Sequence, residues 1–226
     1  MAATATLERP DAWADLLAAL GNCLHDPDEA LVESVRSGEL RDALAEATAT
    51  VDFQPDAGID PPAVASVGDL TESSIELFEA MRTPYAPPAE SPYKPWHDDR
   101  TGLMGGPPAA DMVRRYEAID VDVPQGYPPD HVALLLEYGT VLLDAGETAA
   151  FADHVDAHLD WIPALALATE GAAADAPFHR WAIHLLDEAT ATLRSRLDLD
   201  PVDEDAARTM VGRVEDATAP TRPDGT

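Results

Sequence analysis

A chain of 226 residues with 46% hydrophobic side chains is long enough for one domain with a sizeable core and too apolar to be disordered. It carries 43 acidic residues against 14 basic ones, a net charge of −29, and Lys94 is its only lysine. That balance argues against nucleic acid as a partner, since lysine and arginine must neutralise phosphates there. With acids spread from Asp11 to Asp224, it points to a protein of an extreme halophile.

In molar salt the Debye length falls to roughly 3 Å. A partner must then be held by apolar contact and short hydrogen bonds. Cys23 is alone, which leaves no intrachain disulfide and no cysteine-rich zinc site. The N-terminus, MAATATLERPDAW, lacks a basic stretch followed by an apolar one. No run approaches the ~18 apolar residues of a membrane span. A cytoplasmic protein without membrane insertion is expected.

In chain order, the hydrophobic period predicts helices over 11–20, 28–35, 39–51 and 69–81. The apolar positions of the last are Leu70, Ile75, Leu77, Phe78 and Met81. Residues 82–108 read as a long loop rich in proline and glycine, with Tyr85, Tyr93 and Trp96 in it. A loop of that length in a compact domain is often functional. Helices follow at 109–118, 130–143, 148–159, 161–169 and 177–197, with a last acidic one at 201–217 and a disordered end at 219–226. No segment alternates as a strand does. The fold class is all-α, a single bundle of roughly nine or ten helices: a domain over 1–198, then an acidic helix and tail over 199–226.

Chemistry is carried by few stretches. In Pro128-Pro129-Asp130-His131, Asp130 is placed to cap the following helix with its carboxylate. His131 gains nothing from the positive end of a helix dipole, so Asp130 or a ligand must hold it. Glu137 is a charge in the middle of an apolar helix, either near its apolar side or an exposed surface acid. The stretch RTPYAPPAESPYKPW, 82–96, is either a rigid loop packing its aromatics on the bundle or a wall of a peptide groove. His154 and His158 stand at i and i+4, a spacing that suits a metal. The alternative is two ordinary helix residues, one facing the core and one near solvent. No nucleophile constellation and no glycine-rich phosphate loop is present.

Taken in order, IELFEA (75–80), PPAESPY (87–93), DDRTGLMGGPPAADMVRRYEAIDVDV (98–123), PPDHVALLLEYGTVL (128–142), FADHVDAHLDWIPAL (151–165) and APFHRWAIHLL (176–186) resemble the TorD/DmsD/NarJ family of redox-enzyme maturation chaperones. The likeness runs over roughly 69–197. The chain departs from the family at Ala89, where an aromatic is common, and at Leu165, where phenylalanine usually follows Trp-x-Pro.

The resemblance implies a non-enzymatic, all-helical chaperone that binds the twin-arginine signal peptide and the apo catalytic subunit of a molybdopterin oxidoreductase. That client would be of the dimethyl-sulfoxide, trimethylamine-oxide or nitrate reductase kind, held back from export until its cofactor is inserted. The implied client-binding residues are Leu77, Phe78, Pro88, Glu90, Ser91, Tyr93, Trp96, Asp130, His131 and Glu137. Asp130 and Glu137 would pair with guanidinium groups. His131 would donate to peptide carbonyls or position Asp130, and Phe78, Tyr93 and Trp96 would take the apolar part. No catalytic residue, metal or cofactor is assigned. A metal-dependent helical enzyme using His154 and His158, or a non-catalytic adaptor bundle, stands as the alternative. The chain is either a monomer or a dimer that swaps helices across 121–129.

Overall fold

Among the residues that the computed structural model describes, 7–79, 83–96 and 102–218, the chain forms ten helices and no β-strand. They are α1 (Pro10–Leu24), α2 (Glu29–Ser37), α3 (Glu39–Thr50), α4 (Val67–Phe78), α5 (Pro107–Ala118), α6 (Val132–Asp144), α7 (Thr148–His158), α8 (Ile162–Gly171), α9 (Pro177–Arg196) and α10 (Glu204–Thr218). The expected helical bundle is what the chain builds.

The centre of the bundle is α6. Only Glu137, Val141 and Asp144 on it are exposed, because its sequence is apolar nearly all round. Its most extensive packing is against α1. There Trp13, Leu16, Leu17, Leu20 and Leu24 form a buried stripe at helical spacing, while Asp11 and Asp15 face solvent. The long α9 lies against α1, α7 and α8, and buries Phe178, Ile183, Leu185, Leu186 and Leu193. α3 packs on α1 and carries α2, α4 leans on α9, and α10 packs on α8.

Helix ends differ from expectation where capping chemistry decides them. The fourth helix starts at Val67, not 69, because the Ser66 hydroxyl accepts from the Asp69 amide at 3.2 Å. It ends at Phe78 and not at Met81, because the backbone turns extended at Glu79; the last two expected residues, 80 and 81, lie outside the described residues, as does the expected tail at 219–226. The fifth starts at Pro107, since two prolines fit the first turn, where amides lack partners anyway.

The start of α6 corrects a specific expectation. Its cap is His131, not Asp130: the His131 Nδ1 accepts from the Ala133 amide at 3.3 Å, which fixes the proton on Nε2 when the ring is neutral. The Asp130 carboxylate has a partner elsewhere.

Candidate functional site

The two proline motifs of the sequence form one structure. Ala89 and His131 make an isolated antiparallel bridge. The Val132 amide donates to the Pro88 carbonyl at 2.8 Å, and the Glu90 amide to the Asp130 carbonyl at 3.1 Å. Asp130 is wholly buried, and its Oδ2 accepts from both the Ser91 amide (2.6 Å) and the Ser91 hydroxyl (2.5 Å). The Ser91 Oγ in turn accepts from the Gly106 amide at 3.0 Å, one residue before α5. A single carboxylate therefore ties the loop, the start of α5 and the start of α6 together. Charge-assisted bonds of this kind are worth about 1.5–3 kcal/mol each, and a buried geometry enforces them.

Trp96 closes this knot. Its Nε1 donates to the Ser91 carbonyl at 3.3 Å, and its ring packs close against Gly106. A Cβ at position 106 would stand 2.3 Å from the indole. Gly106→Ala is expected to push the ring off its seat and cost about 2 kcal/mol, a typical overpacking loss. A lowered urea midpoint with a shifted tryptophan emission would show it, and an unchanged midpoint would mean the loop yields freely.

Beneath the loop runs a chain of charges. Lys94, the only lysine, is mostly buried, bridges to Asp160, and lies 3.7 Å from Glu90. Glu90 is buried too, and its Oε2 meets the His158 Nδ1 at 2.7 Å. On the other side of the ring, the His158 Nε2 meets Asp111 Oδ2 at 2.9 Å, and Asp111 also takes Arg114 and Arg115. Burial pushes the Glu90 carboxyl up, against the pull of His158 and Lys94. Burial also acts to raise Asp111, but its bonds from Arg115, His158 and Arg114 prevail and hold it at about 2.

This arrangement corrects the expected placing of the histidine pair. Both His154 and His158 are buried, and neither is near solvent. The His154 Nε2 is used on the Leu135 carbonyl at 2.9 Å, and both His158 nitrogens face carboxylates on opposite sides. The two rings therefore do not converge on one point, and no group of three metal-ligating side chains gathers among the described residues.

The remaining predicted residues fall in different places. Leu77 is fully buried. Phe78 is half-buried, with its ring edge-on to His179 at 5.4 Å. Pro88 is half-buried. Tyr93 is fully buried, stacks on Trp161 at 5.0 Å, and its hydroxyl has no hydrogen-bond partner among the described residues. Glu137 is exposed, 55% of its side chain open, and its carboxylate accepts from the His25 Nε2 at 2.8 Å. Tyr127 stands between His25 and His131, edge-on to both, and its hydroxyl accepts from the Asp26 amide at 2.8 Å.

Beside Glu137 an apolar groove of about 120 Å³ opens between α5, α6 and the connection joining them. Tyr116, Ile119, Val121, Leu134 and Val141 line it, with Asp122 and Glu137 as its acids. Ile119, Val121 and Val141 are among the few large apolar side chains left exposed among the described residues. Sequence reasoning missed His25, Tyr127, Asp111 and the groove. Tyr127 had a signal, an aromatic placed just before the Pro-Pro-Asp-His turn. His25 had none, since it meets Glu137 across 112 residues.

Residues 28–197 match the family described as Nitrate reductase delta subunit. No curated protein sequence matches the chain. The match covers well over half of the 226 residues, and the chain belongs to this branch of the TorD/DmsD/NarJ family of molybdoenzyme maturation chaperones.

Proposed function

We propose that this member of the nitrate reductase delta subunit family is the cytoplasmic, non-catalytic chaperone of one molybdopterin oxidoreductase. It binds the client's twin-arginine signal peptide and apo catalytic subunit, and it releases them for export once the cofactor is in place. The client is of the dimethyl-sulfoxide, trimethylamine-oxide or nitrate reductase type. The working medium is molar salt: the sole lysine is buried between acids, and the surface is left to carboxylates and arginines.

The observation that carries the peptide reading is Glu137, an exposed carboxylate on the edge of an open apolar groove. A guanidinium offers a carboxylate two parallel donors and displaces the single bond from His25. The apolar part of the signal then lies on Ile119, Val121 and Val141. At about 25 cal/mol per Å², that burial supplies most of the affinity where salt screens the field. Asp130 takes a different role from the one the resemblance implies. Its Oδ2 is held by Ser91 and the whole group, Oδ1 included, is buried, so in this reading it acts on a peptide through the loop and not by direct pairing.

The test is calorimetric titration in molar potassium chloride, with the twin-arginine leader of the molybdenum oxidoreductase encoded nearest this gene. Glu137→Gln is expected to weaken binding about tenfold, equivalent to ~1.4 kcal/mol. Equal binding would move the arginine site elsewhere. No binding by folded wild-type protein to this or any other molybdoenzyme leader would sink the reading.

A further inference from the structure

The helix α10 lies beyond the stretch that matches the family, 28–197, and it is held unevenly. Only Ala207 and Val214 on it are fully buried, with Met210 and Val211 partly so, while Glu204, Asp205, Arg208 and Asp216 face solvent. Its apolar burial is small beside that of α6, which buries nine residues, and it goes almost wholly to α8. At its base the packing is open. Two cavities of about 330 and 250 Å³ flank the connection, and Pro163 and Val202 line both. Arg194 pins the Asp200 carbonyl at 2.7 Å, just ahead of the short connection into α10.

At its far end the fit is close. The Arg213 Nη1 donates to the Tyr93 carbonyl at 2.6 Å. Gly102, at φ +67°, lets the helix come so near that a Cβ there would lie 2.3 Å from both the Ala217 Cβ and the Arg213 carbonyl. The Tyr93 that Arg213 bonds is fully buried on Trp161, with a hydroxyl that has no hydrogen-bond partner among the described residues. A buried hydroxyl of that kind is exceptional in a settled core.

We propose that α10 is a latch on the segment 90–96. Docked, it holds Tyr93 down through Arg213. Swung out about 201–203, it frees that segment and presents the Tyr93 and Trp161 rings, with the tyrosine hydroxyl as a ready donor, to an apolar segment of the client. The effect on affinity rests on the peptide-binding reading above. The latch itself does not.

The experiment is hydrogen exchange of the full chain in molar salt, on wild type, Arg213→Ala and Val214→Asp. Arg213→Ala removes one bond from a half-buried side chain and leaves the core intact. Amides of 90–96 are expected to exchange about tenfold faster in it, with α1 and α6 unchanged. Val214→Asp puts a charge at a buried position of α10 and is expected to expose α10 and 90–96 together. Wild-type exchange at 90–96 in Arg213→Ala overturns the latch, whatever Val214→Asp does. Equal loss of protection in α1 and α6 of Arg213→Ala also overturns it, because α10 would then be a part of the global fold. Client leader should bind Arg213→Ala about threefold tighter, since opening is no longer a cost to binding. A leader that binds neither protein counts against the client reading alone, and exchange still decides the latch.

Discussion

In molar salt, stability should fall by about 4 kcal/mol between pH 6.5 and pH 4.5, a large share of the ~5–15 kcal/mol that holds a typical domain. Three buried histidines drive the loss. Burial lowers His131 to about 4, with His25 adding to it, lowers His154 to about 3, and lowers His179 to about 4. A depressed pKa means that the unfolded chain binds protons first. Each histidine thus contributes stability that is complete above 6.5 and drains away as pH falls toward its folded value. Two acids run the other way. Burial raises Asp187 to about 6, and also raises Glu90, so their contributions grow as pH falls through the same range. They offset part of the histidine loss and do not cancel it. Asp111, held at about 2, gives up its contribution only below 3.8.

Urea midpoints measured across that range check this. His154→Gln keeps a donor near the Leu135 carbonyl and removes the titration, so its profile should be flatter by about 2 kcal/mol. A wild-type midpoint that stays level down to pH 4.5 would show that the native rings carry protons, against their burial. High salt matters to the design. At low ionic strength, relief of repulsion among 43 acids would mask the trend by stabilising the chain as they are neutralised.

Asp130→Ala is expected to cost about 3 kcal/mol, because it leaves two donors of Ser91 buried without an acceptor. The damage should be local in structure and wide in effect. The Gly106 amide, the Trp96 seat and the Ala89–His131 bridge all depend on where Ser91 is held. Asp130→Asn keeps one carbonyl oxygen for Ser91 and should cost only about 1 kcal/mol. Denaturant unfolding of the two variants separates the outcomes. If Asp130→Ala matches wild type, then Ser91 finds another acceptor and the carboxylate is free for other work. If it falls as expected, any weakening of client binding in it must be read through the loop.

The site was partly visible in the sequence. Pro87 to Tyr93 and Pro128 to His131 stood out by composition, yet nothing in either said that they pair with each other. Asp130 reads as a helix cap because capping is a local rule, and a local rule has no term for Ser91, 39 residues away. Its neighbour His131 took the cap instead, which is why the helix starts later than its carboxylate suggests. Glu137 left two readings open, and the structure joins them: the side chain is exposed and also lines the apolar groove.

By itself the sequence determined what near neighbours determine: roughly nine or ten helices in order, their apolar faces, the acidic surface and the absence of any strand pattern. Those depend on period, caps and prolines within a few residues of one another. Only the tertiary structure decided the partners of the polar side chains. Ser91 meets Asp130 across 39 residues, Glu90 meets His158 across 68, and His25 meets Glu137 across 112. Such pairs are set by how α1, α5, α6 and α7 pack around one core. Removal from water makes a partner obligatory for a buried polar group, but packing alone chooses which partner it is.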